Sequence, residues 1–261
     1  MSSISLSVSE RGIARLVMNR PDLHNAFDEA LIDELTTACD RLAADPAVRV
    51  VVLAATGKSF SAGADLGWMK RMASATEAEN LADAGRLGRL MRTLHLLPKP
   101  TIAAVQGAAF GGGVGLVACC DMAIASTSAL FSLSEVRLGL IPAVISPYVI
   151  AAIGARGASR YFISAERFEA GEALRLGLLH QVVPPEELDG AVQGLAERLL
   201  EGGPAAQAAA KRLINEVAGH PLDQSLVDLT ASRIAAIRAT AEAKEGIAAF
   251  LEKRPAAWKR T

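Results

Sequence analysis

The sequence predicts an α/β core followed by a tail made only of helices. Apolar runs that suit buried strands alternate with segments of helical periodicity in the part of the chain before Glu186. From Glu186 onward, Ala- and Leu-rich segments are interrupted at Gly202-Gly203-Pro204 and at His220-Pro221, as expected for antiparallel helices. Strands that alternate with helices favour a layered α/β fold, and the run of helices after them favours an appended tail.

Composition narrows the functional classes. The chain has 261 residues, 51% of them hydrophobic, which allows a substantial core. Its 27 Lys and Arg nearly balance its 28 Asp and Glu, so the net charge of −1 gives no electrostatic reason to expect nucleic acid or an acidic membrane surface as a partner. The three cysteines form neither an even set nor a metal-binding spacing, which favours a reducing compartment. Because no signal peptide or membrane-spanning run is recognisable, we expect a cytoplasmic protein.

The first predicted unit is strand, helix, strand. Ile13–Met18 is an apolar run typical of a strand, and residues 19–26 form a loop that contains a proline. Asn25 in that loop could act as the N-cap of the following helix. Residues 48–54 form the second apolar strand. The helix between the strands is predicted from apolar residues at helical spacing: Leu31, Leu35, Ala38, Cys39 and Leu42.

The next strand carries a glycine-rich turn at its end. Two prolines at residues 98 and 100 end a preceding helical segment and lead into the apolar strand Thr101–Val105. Gly107 and the triplet at residues 111–113 then break the pattern before a short apolar helix at residues 114–119. The first N–H groups of a helix have no intrahelical partner and suit a developing negative charge. The alternative is a tight turn that holds no ligand.

A second loop, residues 58–66, follows the strand at 48–54 and consists mostly of small residues through which a main-chain N–H could reach a bound carbonyl. Two loops that each give one donor to one oxygen would form an oxyanion hole. These two loops carry the motifs F-S-A-G-A-D at residues 60–65 and G-A-A-F-G-G-G at residues 107–113. They resemble the crotonase (enoyl-CoA hydratase/isomerase) superfamily, and the resemblance extends over nearly the whole chain.

The resemblance implies a right-handed spiral of strand-strand-helix turns with a C-terminal helical trimerisation region. We place the spiral core with the active site in residues 1–200 and the helical region in residues 201–261. The partner would be an acyl-CoA substrate, with coenzyme A as part of the substrate, no retained cofactor and no metal. Neither nucleic acid nor a membrane is expected as a partner. The assembly would be a homotrimer or a homohexamer built as a dimer of trimers.

Residue roles are carried over from the matching motif positions. The backbone N–H groups of Ala64 and Gly112 would form the oxyanion hole, and Glu135 would be the catalytic acid/base. The CoA contacts would come from three places in the chain: His24 and Ala26, then Ala62, Asp65 and Leu66, then Phe250 and Lys253. The acyl pocket would be lined by Trp68, Met69, Met72, Gly115, Ser146 and Tyr148.

Each of these residues also has a structural interpretation. Glu135 completes a capping-box pattern with Ser132, in which it would serve only a helix start. The tryptophan and the two methionines could be ordinary core residues. Ser146 and Tyr148 could belong to a helix start and the core, and Phe250 and Lys253 could be a helix anchor and a solvated charge.

The choice between a hydratase and an isomerase depends on one position at which this chain departs from the superfamily's motif. Many hydratases of the superfamily carry a second glutamate two residues after the glycine triplet, where this chain has Gly115. Isomerases that move an acyl-CoA double bond manage with one carboxylate, so an isomerase or another crotonase-type lyase stays a rival.

Residues 58–72, 111–121 and 135–148 nevertheless resemble the bacterial methylglutaconyl-CoA hydratase branch, which includes isohexenylglutaconyl-CoA hydratase-like members. We therefore expect a hydratase for a branched, carboxylated enoyl-CoA of leucine or acyclic terpene breakdown. A non-catalytic RNA-binding or interaction homologue is the remaining alternative.

Overall fold

The computed structural model describes residues 2–259. Two sheets form the frame within this range. The strands are β1 Ile4–Val8, β2 Ile13–Met18, β3 Val50–Ala55, β4 Ser59–Ser61, β5 Thr101–Val105, β6 Ala108–Phe110, β7 Met122–Ser126, β8 Leu130–Ser132, β9 Arg167–Glu169 and β10 Gln181–Val183. The helices are α1 Glu29–Ala44, α2 Leu66–Met72, α3 Glu77–His95, α4 Gly112–Cys119, α5 Ser146–Ser164, α6 Ala170–Leu176, α7 Leu188–Leu200, α8 Pro204–Val217, α9 Gln224–Arg238 and α10 Ala241–Leu251.

The larger sheet has the order β1-β2-β3-β5-β7-β10, and the smaller has the order β4-β6-β8-β9. The chain passes repeatedly from a strand of the large sheet to a strand of the small sheet and then to a helix, as in β3-β4-α2 and β5-β6-α4. Pairing is parallel throughout except for β1 with β2 and β8 with β9. The predicted α/β fold with its strand-strand-helix spiral is therefore confirmed.

The large sheet is buried on both faces. Leu16, Leu53 and Val105 pack with α1, α3 and α4 on one face, and Val52 and Ile102 pack with α7 on the other. Parallel strands covered on both faces become continuous apolar runs, which is why β3 and β5 were recognisable in the sequence. This rigid sheet carries the loops of the candidate site at the ends of its strands.

Five strands were not predicted: β1, β4, β6, β9 and β10. β4 and β6 lie in segments that the sequence analysis treated as loops, and each has three residues. They pair in parallel with each other, so the two predicted donor loops are joined through the small sheet. β9 and β10 also have three residues each, and strands of this length carry too few side chains to show a periodicity. β1 has five residues and pairs with β2 along its whole length.

The suggested N-cap role of Asn25 is wrong. Helix α1 begins after Asp28, whose side chain accepts a hydrogen bond from the Leu31 N–H at 2.9 Å. Asn25 lies three residues earlier, with a positive φ of 52° and a fully buried side chain. Its amide therefore has a different task, described below.

The tail consists of α8, α9 and α10, as predicted. Lys211 on α8 donates to Asp121 at the start of β7 at 2.8 Å, which ties the tail to the core. The boundary between residues 200 and 201 stays a prediction, although it coincides with the end of α7 at Leu200. Among residues 2–259, no helix combines the length and the apolar character that crossing a bilayer requires.

Candidate active site

The two predicted donor loops touch each other. Gly113 lies against the end of β4, where a Cβ atom at this position would be 3.0 Å from both the carbonyl oxygen and the Cβ of Ser61. A side chain at this position would push against the backbone of β4, so glycine lets the two backbones approach closely. The segment at residues 61–64 and the start of α4 are therefore neighbours.

The backbone of Ala64 is held in a defined orientation. Phe27 and Ala64 form a parallel bridge in which the Phe27 N–H donates to the Gly63 carbonyl at 2.7 Å. The Asp65 N–H in turn donates to the Phe27 carbonyl at 2.8 Å. In this pairing the N–H of the middle residue, Ala64, points away from Phe27, and no described residue accepts a hydrogen bond from it.

Helix α4 begins at Gly112, directly after Gly111. Gly111 has φ 49° and ψ −117°, a conformation that side chains other than hydrogen rarely allow. The turn brings the chain from β6 into the helix within one residue. As the first residue of the helix, Gly112 has an N–H without an intrahelical acceptor. The second predicted donor is thus available at a helix N-terminus, where negative charge is favoured.

Glu135 faces this turn. Its Oε1 atom lies 3.1 Å from where a Cβ on Gly111 would stand, and no described residue donates a hydrogen bond to its buried Oε2 atom. Burial raises the pKa of the Glu135 carboxyl above its usual value. A half-buried carboxylate with one unpaired oxygen, beside unused N–H donors, is poised for proton transfer.

The capping-box interpretation of Glu135 is wrong. The residue that precedes the short 3-10 helix Glu135–Leu138 is Ser134, and its side chain makes no capping hydrogen bond. Ser132 belongs to strand β8 and is buried. Ser132 and Glu135 therefore form no capping box, and the backbone N–H that the Glu135 carboxylate accepts from is its own.

Asn25 and Gln106 hold the donor loop in place, a role that the sequence analysis missed. The Asn25 side chain donates to the carbonyls of Thr56 and Ser59, both at 2.9 Å, and accepts from the Arg20 N–H at 2.8 Å. Gln106 donates to the same Ser59 carbonyl at 3.0 Å. These two amides fix Ser59, the first residue of β4, which directly precedes the F-S-A-G-A-D segment. A buried amide between two loops leaves no pattern in a sequence.

The predicted CoA contacts fall into two groups. The first group surrounds the donor loop. His24 is exposed, and its Nδ1 lies 3.1 Å from Ser59 Oγ. Ala26 is buried and Ala62 is exposed, while Asp65 caps α2 and the Leu66 side chain is 81% exposed. The second group, Phe250 and Lys253, lies at the end of α10, and the Phe250 side chain is 82% exposed.

The predicted acyl-pocket residues are partly engaged elsewhere. Trp68 is buried and its Nε1 donates to Asp83 at 3.1 Å, and Met72 packs against the core. Met69 is half-buried. The Ser146 hydroxyl donates to the Ala143 carbonyl at 2.8 Å at the start of α5. Tyr148 is half-buried and meets His95 edge to face, with ring centroids 5.1 Å apart.

Gly115 is buried and the space in front of it is filled. A Cβ atom on Gly115 would lie 2.3 Å from Ile145 Cγ2 and 3.2 Å from Met91 Cε. These distances are well below van der Waals contact. Ile145 precedes α5 and was not among the predicted site residues.

A separate groove of about 450 Å³ opens between the ends of β2, β3 and β5 and the start of α7. Its walls include Val17, Ala54 and Leu188, together with the ion pair of Arg15 and Asp189 at 2.8 Å. None of the predicted site residues lines it. The volume of a groove therefore does not identify the active site, whereas the chemistry of the groups around Glu135 does.

A half-buried carboxylate with one unpaired oxygen, beside two contacting glycine loops on a strand-strand-helix spiral, defines a crotonase-type protein. The family model described as enoyl-CoA hydratase/isomerase matches residues 9–261. The chain belongs to this family, as the motifs of the two loops predicted.

Individual relatives agree with this assignment. The crotonyl-CoA hydratase of Syntrophomonas wolfei is 36% identical over 249 residues, which span 95% of this chain and 94% of that protein. The short-chain-enoyl-CoA hydratase of Clostridium acetobutylicum is 33% identical over 247 residues, with coverage of 94% and 93%. The crystal structure of an enoyl-CoA hydratase from Shewanella pealeana superposes with a TM-score of 0.95 at 46% identity, covering 98% of this chain and 96% of that one.

Proposed function

We propose that the protein is an enoyl-CoA hydratase that adds water across the 2,3-double bond of an acyl-CoA thioester, with Glu135 as its acid/base. The observation that carries the proposal is the Glu135 carboxylate, whose buried Oε2 has no donor among the described residues and which lies against the turn before Gly112. The two similar proteins named above as hydratases of crotonyl-CoA and of short-chain enoyl-CoA support it.

In the proposed reaction the thioester carbonyl accepts hydrogen bonds from the N–H groups of Ala64 and Gly112. Negative charge that develops on this oxygen then meets donors that are already fixed, and one such donor contributes about 3 to 4 kcal/mol elsewhere. Glu135 takes a proton from water as the oxygen bonds to the β-carbon, and it returns a proton to the α-carbon. Its raised pKa brings the carboxylate closer to the pH at which it can both accept and donate.

For the acyl group, the proposal is a branched, carboxylated substrate such as 3-methylglutaconyl-CoA. The support is the resemblance of residues 58–72, 111–121 and 135–148 to the methylglutaconyl-CoA hydratase branch. A carboxylate on the substrate could help to hold the attacking water, because position 115 contributes no side chain. Lys70 and Arg71 on α2 are two basic residues of which one could reach that carboxylate, and Arg71 is already paired with Glu29 at 2.6 Å.

The chain would act on coenzyme A as part of the substrate, with no metal and no retained cofactor, in the cytoplasm. The CoA contacts would combine the residues around the donor loop with Phe250 and Lys253 of a neighbouring subunit. A homotrimer, or a hexamer built from two trimers, would bring these groups together and cover apolar side chains of α9 and α10 that are exposed in the single chain: Val227, Ile234, Ile247, Phe250 and Leu251. Light scattering on the purified protein would decide between monomer, trimer and hexamer.

Turnover of three thioesters tests the reaction. Purified wild type is offered 3-methylglutaconyl-CoA, crotonyl-CoA and a 3-enoyl-CoA, beside Glu135→Gln and the control Glu10→Gln, which changes an exposed carboxylate. We expect hydration of the glutaconyl ester, a loss of about 10² to 10⁴ in rate with Glu135→Gln, and no loss with the control. Unchanged hydration by Glu135→Gln would remove Glu135 from the mechanism.

The second candidate is a Δ3,Δ2-enoyl-CoA isomerase, which the absence of a carboxylate at Gly115 favours. A shift of the double bond needs one group to move a proton between two carbons, and Glu135 alone can do this. The same assay separates the two, because an isomerase converts the 3-enoyl ester and leaves the 2-enoyl esters unhydrated.

A further inference from the structure

Helix α4 has a side that carries no side chains over one turn. Gly112 and Gly115 are three residues apart and therefore lie on the same side of the helix. Gly112 is the proposed donor to the thioester oxygen, and Gly115 lies about 5 Å further along the helix axis. The side chain that fills the space before Gly115 is therefore close to the proposed donor.

Ile145 fills that space. A Cβ on Gly115 would be 2.3 Å from Ile145 Cγ2 and 2.9 Å from Ile145 Cβ, and 3.2 Å from Met91 Cε. Ile145 is 2% exposed and Met91 is fully buried. Both Cγ2 and Cβ of Ile145 are too close to the position that a Cβ on residue 115 would take. Rotation of the isoleucine side chain alone therefore cannot make room for a side chain at position 115.

The backbone around Ile145 is fixed as well. Its carbonyl accepts from the Val149 N–H at 3.1 Å in the first turn of α5, and the next residue, Ser146, donates through its N–H to Ala143 at 3.2 Å. On the other side, α3 supplies Met91, which lies in the core. The isoleucine is thus held between two helices and cannot move away from α4 without repacking both.

We infer that Ile145 is a specificity-determining residue: its side chain takes the volume of any side chain at position 115 and presents an aliphatic wall there. The inference rests on the proposed function and extends it. The wall gives no hydrogen bond to water on this side, so water is held by Glu135 and by polar groups of the substrate itself. Enoyl thioesters that carry their own carboxylate are therefore preferred over plain short-chain ones.

The packing part is tested by a double-mutant cycle that needs no activity. Gly115→Ala, Ile145→Gly and the double variant are compared with wild type by thermal and urea unfolding. We expect Gly115→Ala to lower the melting temperature in the wild-type background and to have no such effect in the Ile145→Gly background, because the overlap is gone. Additive effects of the two substitutions would overturn the steric pairing.

The specificity part is tested with Gly115→Glu combined with Ile145→Gly, beside Gly115→Gln combined with Ile145→Gly as the matched control. We expect the glutamate variant to hydrate crotonyl-CoA at least about tenfold faster than the glutamine control, since a well-placed acid or base contributes about 10² to 10⁴. Its preference for the glutaconyl ester over crotonyl-CoA should shrink by a similar factor.

Equal rates for the two double variants would overturn the assignment of Ile145 as a specificity residue even if the unfolding cycle shows coupling. If wild type hydrates none of the enoyl thioesters, the proposed function fails instead, while the unfolding cycle still decides the packing. The two failures are therefore distinguishable.

Discussion

Oε1 of Glu135 lies 3.1 Å from the point where a Cβ atom on Gly111 would stand. The catalytic candidate and the glycine turn are therefore fitted to each other, and any side chain at position 111 would meet the carboxylate. This contact joins the strand-turn-helix of α4 to the segment after β8. It places the proton-transfer group beside the proposed donor at Gly112.

Gly111→Ala should damage both stability and activity. The substitution puts a Cβ at φ 49° and ψ −117° and against the carboxylate, which costs about 1 to 3 kcal/mol of unfolding free energy. Urea unfolding and the hydration rate measure the two effects. Gly171→Ala is the control, because a Cβ there has no atom within 4 Å and should leave both unchanged.

The Gly112 N–H can be removed without a change in its surroundings. Proline is tolerated at the first position of a helix and lacks the N–H. Gly112→Ala and Gly112→Pro both place a Cβ near Phe27, at 3.1 Å from its Cε2, so the alanine variant is the matched control. We expect the proline variant to be slower than the alanine variant by about 10² to 10³ in kcat. Equal rates would show that this N–H does not stabilise the transition state.

The pH dependence of the hydration rate should follow Glu135. The carboxylate is the active form, and burial raises its pKa above the usual 4.5, so the rate falls on acidification with a midpoint above pH 4.5. A profile of kcat/KM against pH measures this limb. A midpoint at or below pH 4.5 would contradict the raised pKa.

Stability should respond in the opposite sense. A carboxyl whose pKa is raised by folding stabilises the protein below the unfolded-state pKa, and this stabilisation is lost as pH rises through the folded-state value. Glu135→Gln, which keeps the uncharged form, should therefore be more stable than wild type at pH 7 and equally stable near pH 4. Unfolding free energies at the two pH values check the sign, and a destabilised variant at pH 7 would refute it.

Asn25→Ala should destabilise the donor loop by about 2 to 4 kcal/mol. It removes three hydrogen bonds of a fully buried amide and takes the side-chain partner from the Thr56 carbonyl and the Arg20 N–H, while the Ser59 carbonyl keeps its bond from Gln106. Asp22→Ala changes an exposed side chain on the same loop and should cost less than about 0.5 kcal/mol. Urea unfolding compares them, and equal costs would mean that the buried amide does not hold the loop.

The sequence by itself determined the α/β core, the helical tail, the two glycine loops and Glu135 as a candidate. These features are encoded locally, by apolar runs, by proline and glycine punctuation and by motifs at fixed spacing. Two local interpretations failed: Asn25 is not a helix cap, and Glu135 does not close a capping box, since both roles depend on where a helix actually begins.

The tertiary structure alone decided which side chains share a volume. Ile145 and Gly115 are 30 residues apart in the numbering, and a pattern in the chain cannot show that one fills the space before the other. The same holds for the amides of Asn25 and Gln106, which meet at the Ser59 carbonyl. Packing and hydrogen bonding between distant segments are set by the folded backbone, because they depend on distances that local sequence periodicity does not contain.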